Sequence, residues 1–290
     1  MNDSVRRKKI SCIALDLDGT TLRDDKGISE ANRKAVEDAV RAGIKVVIAS
    51  GRSYSSLPES VTSIPGIEYA VTSNGAAVYR MGDGVCIRRV SLDPEAVDGI
   101  LEITEGMTLG METFLEGIPY AQREYVEDPV RFGAMPYAVN YIRSTRQPVE
   151  DIRAFVRFHR GELDGIDMIL GDEEKRLALW KKLQDSALPL YITSSVQNRV
   201  ETASREAGKA GGLKFIRDLL GIPAEETAAF GDADNDIDML EASGFGFAVE
   251  NASPACLAAA DYITRSNRED GVAFGIYEIL GIPASEKEEV

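Results

Sequence analysis

The stretch "CIALDLDGTTL" (residues 12–22) carries apolar residues up to an Asp-Gly pair. An Asp-Gly pair behind an apolar run is a hairpin signal, so Asp18 and Gly19 can be read as a tight turn. They can equally be read as the end of a buried strand that pushes two carboxylates, Asp16 and Asp18, into a site. The next segment decides. A polar run, "RDDKGIS", leads to Ser29 as a helix N-cap, and Ala31, Ala35, Val36, Ala39 and Val40 then recur at helical spacing until Gly43 closes the helix. "IKVVIAS" follows as a continuous apolar run of strand length. Strand, helix and buried strand in that order make a right-handed crossover in a parallel sheet, where sites lie beyond the carboxyl ends of the strands.

Asp16 and Ser50 end two such strands, and "EYAVTSNGA" supplies a third with Ser73, Asn74 and Gly75 at its tip. "TAAF" runs into "GDADNDIDML", and "GFGFAV" runs into Glu250 and Asn251. Five strand ends thus direct polar groups to one edge. Between "RMGDGV" and "SREAGK" the texture changes, over a length no compact-domain loop has. "METFLEGIPYA" alternates around Glu116 and Gly117 like a hairpin, helical spacing appears near residues 149–160 and 172–183, and "LYITSSV" and "NRVETAS" read as paired strands. The pattern predicts an α/β fold: a parallel-sheet core with helices on both faces (residues 1–83 and 205–290) and an inserted α+β domain (84–204). Gly82, Asp83 and Gly84 on one side and residues 204–208 on the other are the expected flexible connections.

The chain of 290 residues, 44% of them hydrophobic, is long enough for one large or two modest cores. A net charge of −15 disfavours nucleic acid and anionic membranes as partners and requires any anionic substrate to be attracted locally. Three distant cysteines, Cys12, Cys86 and Cys256, suit a reducing compartment. The basic residues 6–9 resemble the start of a signal peptide, but Asp16 interrupts the apolar run and no cleavage site follows. No uncharged run approaches the roughly 18 residues of a membrane span. The expectation is a soluble cytoplasmic protein, with residues 6–9 and "ASEKEEV" as solvated tails.

Two carboxylates two residues apart at a strand end suit a nucleophile and a general acid. One attacks phosphorus to form an acyl phosphate; the other protonates the leaving oxygen and then activates water. Both would repel a phosphate, by roughly 1 kcal/mol per close pair in water and about 4 at an effective dielectric near 20. A cation is therefore needed, and the acidic loop with Asp232, Asp234 and Asp236 can hold Mg²⁺. That loop is not a calcium-binding EF-hand, because Ile237 and Ser243 stand where Gly and Glu are required. Ser50 and Lys209 gain meaning only by occurring together with these acids.

The set "DLDGT" (16–20), Ser50 in "ASGR", Lys209 in "GKAGG" and "GDADND" (231–236) resembles, in order and type, the haloacid dehalogenase superfamily of phosphohydrolases. The long insertion, "SNGA" (73–76) and "SNREDGVA" near the end resemble its Cof-like branch of capped sugar-phosphate and cofactor phosphatases. The resemblance covers nearly the whole chain, and implies a Rossmann-like core with a substrate-specificity cap. It implies Asp16 as nucleophile, Asp18 as general acid/base whose carbonyl also meets the metal, and Asp232 as second carboxylate ligand. Ser50 and Lys209 would bind the phosphoryl oxygens, with Gly51 and Asn74 in the same phosphate-binding set. Asp236 would orient the metal's waters or Lys209, and Asn235 would lie near the phosphoryl group. Two departures stand out: Glu250 precedes Asn251 where a small residue is commoner, and "GKAGG" replaces Ser-Lys-Gly.

"GFGF" precedes a strand instead of opening a helix, which argues against a nucleotide cofactor, and no Walker or Gly-x-Ser-x-Gly sequence is present. His159, the only histidine, reads as a helix-end or surface residue and Trp180 as packing. Arg123, Tyr125, Arg131, Tyr137, Tyr141 and Arg143 receive no site role. The expected function is a Mg²⁺-dependent phosphomonoesterase acting on small phosphorylated metabolites through an aspartyl-phosphate. A phosphoryl transferase or mutase and a non-catalytic phosphometabolite sensor are the alternatives. Dehalogenation ranks lower, since it has no use for the acid at Asp18.

Overall fold

Alternation along the first strand, β1 (Cys12–Leu15), sends Ile13 and Leu15 to one face of a sheet and Cys12 and Ala14 to the other. In the computed structural model, which describes residues 9–285, these two sets enter separate apolar layers. Ile13 and Leu15 pack with Ala35, Val36 and Ala39 of the helix Glu30–Arg41, whereas Cys12 and Ala14 pack with Leu213 and Ile216 of the helix Lys209–Leu220. Helices therefore cover both faces, as the buried apolar runs require. Ser29 caps the first helix by accepting from the Asn32 amide at 3.0 Å, worth about 1 kcal/mol. The Asn32 side chain donates to the Thr21 carbonyl (3.2 Å) and accepts from the Ala273 amide (2.9 Å), tying the loop after β1 to the far end of the chain.

The following strands are β2 (Lys45–Ala49), β3 (Tyr69–Thr72), β4 (Ala77–Arg80), β5 (Val85–Arg89), β6 (Gly110–Leu115), β7 (Ile118–Gln122), β8 (Gln147–Val149), β9 (Gly165–Ile169), β10 (Leu190–Thr193), β11 (Arg199–Ser204), β12 (Thr227–Gly231), β13 (Phe245–Val249) and β14 (Tyr262–Thr264). Eight of them form one sheet in the order β14-β13-β12-β1-β2-β3-β4-β5, parallel from β14 through β3 and antiparallel beyond. Strand β1 lies between β2 and β12, so the two acidic segments meet at adjacent strand ends. Phe230 and Phe247 stack at 4.5 Å on neighbouring strands, worth about 1 kcal/mol beyond area burial.

The second sheet has the order β10-β11-β9-β6-β7-β8 and is antiparallel except for β7 with β8. The hairpin at Glu116 and Gly117 forms, both residues taking positive φ (51° and 77°). One face of this sheet buries Met111, Met168 and Val200 under helices; the other carries Glu112, Asp167 and Glu201. Register sets Glu112 opposite Asp167, and Asp167 opposite Glu201.

One expectation needs correction. Gly82, Asp83 and Gly84 do not connect the sheets: they turn β4 into β5, which pairs antiparallel with β4 in the larger sheet. The chain crosses after Arg89, where the Val90 amide still bonds the Ala76 carbonyl (2.7 Å) and the Leu92 amide bonds the Leu163 carbonyl (2.8 Å). A Gly-Asp-Gly run satisfies a hairpin turn as well as a linker, and the cross-strand pairing of β5 selects the turn. Near the described ends of the tails, Lys9 and Ala284 are exposed to solvent, and polar contacts at the surface hold these ends in place. Lys9 pairs with Glu226 at 2.9 Å, and Ser285 accepts from Lys34 at 2.8 Å and donates its amide to Asp38 at 3.2 Å. Residues 6–8 and 286–290 of those tails lie outside the described residues. Among the described residues no helix is long and apolar enough to cross a membrane.

Candidate active site

Asp16 leaves β1 with its amide bonded to the Phe230 carbonyl at 3.0 Å, which fixes its carboxylate at the junction of β1 and β12. Gly19 then turns the chain at φ +84°; a Cβ there would stand 2.4 Å from Asp232 Oδ2, so glycine is what lets the two acidic segments close on each other. Across the junction Lys209 is fully buried, and its Nζ donates to Asp16 Oδ1 and Asp236 Oδ1, both at 2.6 Å. The other Asp236 oxygen accepts the amides of Asp232 and Ala233, each at 3.0 Å. Asp236 is thereby saturated as the anchor of its own loop and of Lys209. Asp232 has a single hydroxyl partner, Thr20 Oγ1 at 2.7 Å.

Asp16, Asp232 and Asp236 present oxygens that all lie within 4.8 Å of one another. Three carboxylates against one ammonium leave a deficit of positive charge. Burial first, and then the neighbouring carboxylates, raise the Asp16 pKa from 3.8 to about 7. The same causes raise Asp232 well above the usual carboxylate range. Burial opposes the charge on Lys209, but Asp16 and Asp236 together hold it firmly protonated. This donor set, all carboxylate oxygen with unmet negative charge, fits a hard divalent cation such as Mg²⁺.

Asp18 is turned away from this group. Arg52 grips it with two hydrogen bonds, Nε to Oδ2 at 2.6 Å and Nη2 to Oδ1 at 2.8 Å, and Lys26 adds a third at 2.8 Å. Burial would raise its pKa, yet these bonds and charges prevail and hold the carboxyl far below the usual range.

A third group gathers where β3 ends. Ser73, Asn74 and Gly75 take consecutive left-handed conformations (φ 48°, 52° and 87°), a strained arrangement that aims the Asn74 side chain inward. Asn74 Nδ2 donates to Glu201 Oε2 at 2.7 Å, and its Oδ1 accepts from Asn235 Nδ2 at 2.9 Å. Ser50, buried, accepts the Asn74 amide on its carbonyl at 3.3 Å, and a Cβ on Gly51 would stand 3.0 Å from Asn74 Oδ1. Asn235 Oδ1 is buried without a hydrogen-bond partner.

Asp16, Asp18, Ser50, Gly51, Asp232 and Asn235 line a cavity of about 570 Å³, a size suited to a small metabolite, with Lys209, Asp236 and Asn74 behind them; Asp167, Arg199 and Glu201 of the second sheet line its opposite wall, with Glu112 buried behind Arg146 and Arg199. Three carboxylates in register there would repel, and two arginines compensate. Arg146 binds Glu112 through Nε (3.1 Å) and Nη2 (2.9 Å), while Arg199 bridges Glu112 (3.3 Å) and Asp167 (3.0 Å). Of the tyrosines and arginines given no role from sequence, Tyr137 and Tyr141 line the cavity. Arg123 pairs with Glu150, Arg143 binds the Val126 and Glu127 carbonyls, and Tyr125 is core. Asn251 donates to the Gly19 carbonyl at 2.8 Å, bracing the acidic turn despite its exposed neighbour Glu250. Arg52, Lys26, Arg146 and Arg199 were missed by sequence reasoning. Only Arg52 carried a signal, standing two residues after Ser50 in "ASGR".

The sequence profile described as haloacid dehalogenase-like hydrolase matches residues 13–276. Phosphatase YwpJ of Bacillus subtilis is 33% identical over 286 residues, covering 92% of this chain and 99% of that protein. The 5-amino-6-(5-phospho-D-ribitylamino)uracil phosphatase YitU of Bacillus subtilis is 31% identical, covering 93% and 97%. A solved haloacid dehalogenase-like hydrolase from B. subtilis superposes with a TM-score of 0.82 at 31% identity, over 93% of this chain and all of that one.

Proposed function

The chain belongs to the haloacid dehalogenase-like hydrolases and is a phosphatase, and on that premise we propose that it hydrolyses phosphomonoesters of small metabolites through an aspartyl-phosphate on Asp16. The observation that carries this reading is Lys209, fully buried and bonded to both Asp16 and Asp236 at 2.6 Å. An ammonium so placed works against the burial and the neighbouring carboxylates that raise the Asp16 pKa, and supplies positive charge beside the phosphoryl oxygens as they gather charge. An Asp16 oxygen attacks phosphorus in line, and the bond to the ester oxygen breaks. Asp18, ionised in the free protein under Arg52 and Lys26, takes up the proton of the monoanionic ester as it binds and gives it to that oxygen, then takes one from the water that attacks the same phosphorus, releasing inorganic phosphate and restoring Asp16. The Ser50 hydroxyl and the second Nδ2 hydrogen of Asn235 donate to phosphoryl oxygens, with Gly51 and Asn74 shaping the cradle.

Asp16 and Asp232 would hold Mg²⁺ with the Asp18 backbone carbonyl, and Asp236 would orient the set through Lys209. The ion would neutralise the phosphoryl oxygens and the paired carboxylates. The unit from the crossover after Arg89 to Ser204 acts as a specificity cap, its polar sheet face meeting the leaving group. A polyol or heterocycle suits that face, and the relative YitU directs attention to 5-amino-6-(5-phospho-D-ribitylamino)uracil.

Phosphate release from that compound, phosphosugars, pyridoxal phosphate and flavin mononucleotide, measured with Mg²⁺ and with chelator, tests the reading. Turnover of at least one ester is expected with Mg²⁺ only, and none with Asp16→Asn. Phosphate release by Asp16→Asn at the wild-type rate would defeat the assignment.

A further inference from the structure

The carboxylate assigned as acid/base has both oxygens engaged by core cations, Arg52 at 2.6 and 2.8 Å and Lys26 at 2.8 Å. Each of these cations is in turn covered by a cap tyrosine. The Arg52 guanidinium lies 4.5 Å from the centroid of the Tyr141 ring, and the Lys26 ammonium 5.8 Å from that of Tyr137. The Tyr141 ring also carries the Arg146 guanidinium at 4.6 Å, and Arg146 is locked onto the fully buried Glu112. Contacts therefore run unbroken from Asp18 through Arg52, Tyr141 and Arg146 to Glu112, from the reacting centre to the polar wall of the cap.

We propose that Tyr141 is a positioning residue: by holding Arg52 against its ring it sets where Asp18 stands, and so ties proton donation at the leaving oxygen to the placement of the cap. The inference rests on the reading of Asp18 as acid/base. A guanidinium is planar, so its edge can serve the carboxylate while its face serves the ring. Arg52 uses both, and spends its remaining edge on the Ser56 carbonyl at 3.0 Å. The attraction of a cation to an aromatic face grows as water is removed, and Arg52 is only 8% exposed. Without the ring, Arg52 keeps its bonds to Asp18 but loses the surface that fixes their direction. Tyr137 repeats the arrangement more weakly over Lys26.

Tyr141 also lines the cavity, so lost substrate contact must be separated from a displaced acid. Phenyl, 4-nitrophenyl and 2,4-dinitrophenyl phosphate present the same ring but need the proton progressively less. Saturating kcat and KM are measured for all three with wild type, Tyr141→Ala, Tyr141→Phe and Asp18→Asn, after folding is verified by circular dichroism. Tyr141→Ala is expected to lower kcat for phenyl phosphate by about ten- to hundredfold, the cost of a misplaced catalytic group. Its effect on the dinitrophenyl ester should stay within about threefold, because that leaving group departs without acid help. Tyr141→Phe, which keeps the ring, should recover most of the loss. If alanine fails to fold, Tyr141→Leu keeps the volume without the π face and carries the same expectation. A loss equal across the three esters, one confined to KM, or no recovery with phenylalanine, while Asp18→Asn remains selective for the phenyl ester, overturns the positioning role alone. An Asp18→Asn variant without leaving-group selectivity overturns the acid/base reading and this inference with it.

Discussion

Replacing Asp232 by asparagine should stabilise the metal-free protein at alkaline pH while disabling it. The Asp16, Asp232 and Asp236 oxygens lie within 4.8 Å of one another, and Lys209 bonds Asp16 and Asp236 but not Asp232. Two unit charges at that distance repel by about 3 kcal/mol at an effective dielectric near 20. Burial first, and then the charges of Asp16 and Asp236, raise the Asp232 pKa well above the usual range, and burial with Asp236 raises that of Asp16 from 3.8 to about 7. A carboxyl raised in the folded state binds a proton there that the unfolded chain has already lost. Stability is therefore lost as pH rises from the unfolded value near 3.8 through the folded value near 7. In chelator, wild-type Tm should fall between pH 5 and 8. Asp232→Asn removes one charge, and half-exposure of Asp232 reduces the gain to about 2 kcal/mol, or about 4–8 °C in Tm at pH 8. Differential scanning fluorimetry reads this directly. Added Mg²⁺ should raise wild-type Tm more at pH 8 than at pH 5 and leave the variant nearly unmoved. A variant equal to or less stable than wild type in chelator at pH 8 would refute the electrostatic reasoning.

Other perturbations give contrasting outcomes. Gly75→Ala places a Cβ 1.9 Å from the Gly208 carbonyl at φ +87°, so urea unfolding should show a loss above about 2 kcal/mol, and turnover should drop as Lys209 shifts. Arg146→Met leaves buried Glu112 with Arg199 alone, a loss of about 3–5 kcal/mol at neutral pH. Burial works to raise the Glu112 pKa, but Arg146 and Arg199 outweigh it and depress it below 4.5, so the gap from wild type should shrink as pH falls below that value. A gap that widens on acidification would contradict the pairing. Asn74→Asp sets a carboxylate against Glu201, whose oxygen now lies 2.7 Å from the amide, and kcat should fall at least about tenfold. Adding Glu201→Gln should restore part of it, and a double variant no better than the single one would show that Asn74 acts otherwise.

The reacting core was legible because parallel strands deliver their end residues to one edge, so short motifs translate directly into place. Asp16, Lys209, Asp232 and Asp236 are far apart in sequence yet meet through β1 and its neighbour β12. The wall opposite was not legible. Glu112, Asp167 and Glu201 each sit in an alternating strand, where a charged residue reads as solvent-facing; only the register of three non-consecutive strands reveals a row that reaches the cavity at Asp167 and Glu201. Tyr141 stands on a helix of seven residues, Val139–Thr145, too short for spacing to mark a face. Gly82 and Gly84 were misread because glycines mark hairpins and linkers alike.

The reaction turns on a covalent phosphoryl group at Asp16. Acid quenching during turnover of a phosphate ester, followed by borohydride reduction and peptide mass analysis, reports it directly. Residue 16 should be recovered in part as homoserine, the reduction product of an aspartyl-phosphate, in wild type and, with 2,4-dinitrophenyl phosphate, in greater amount in Asp18→Asn, where hydrolysis is slowed but departure of the leaving group is not. Turnover with Asp16 recovered wholly as aspartate, or homoserine appearing at position 18 or 232 instead, would contradict it.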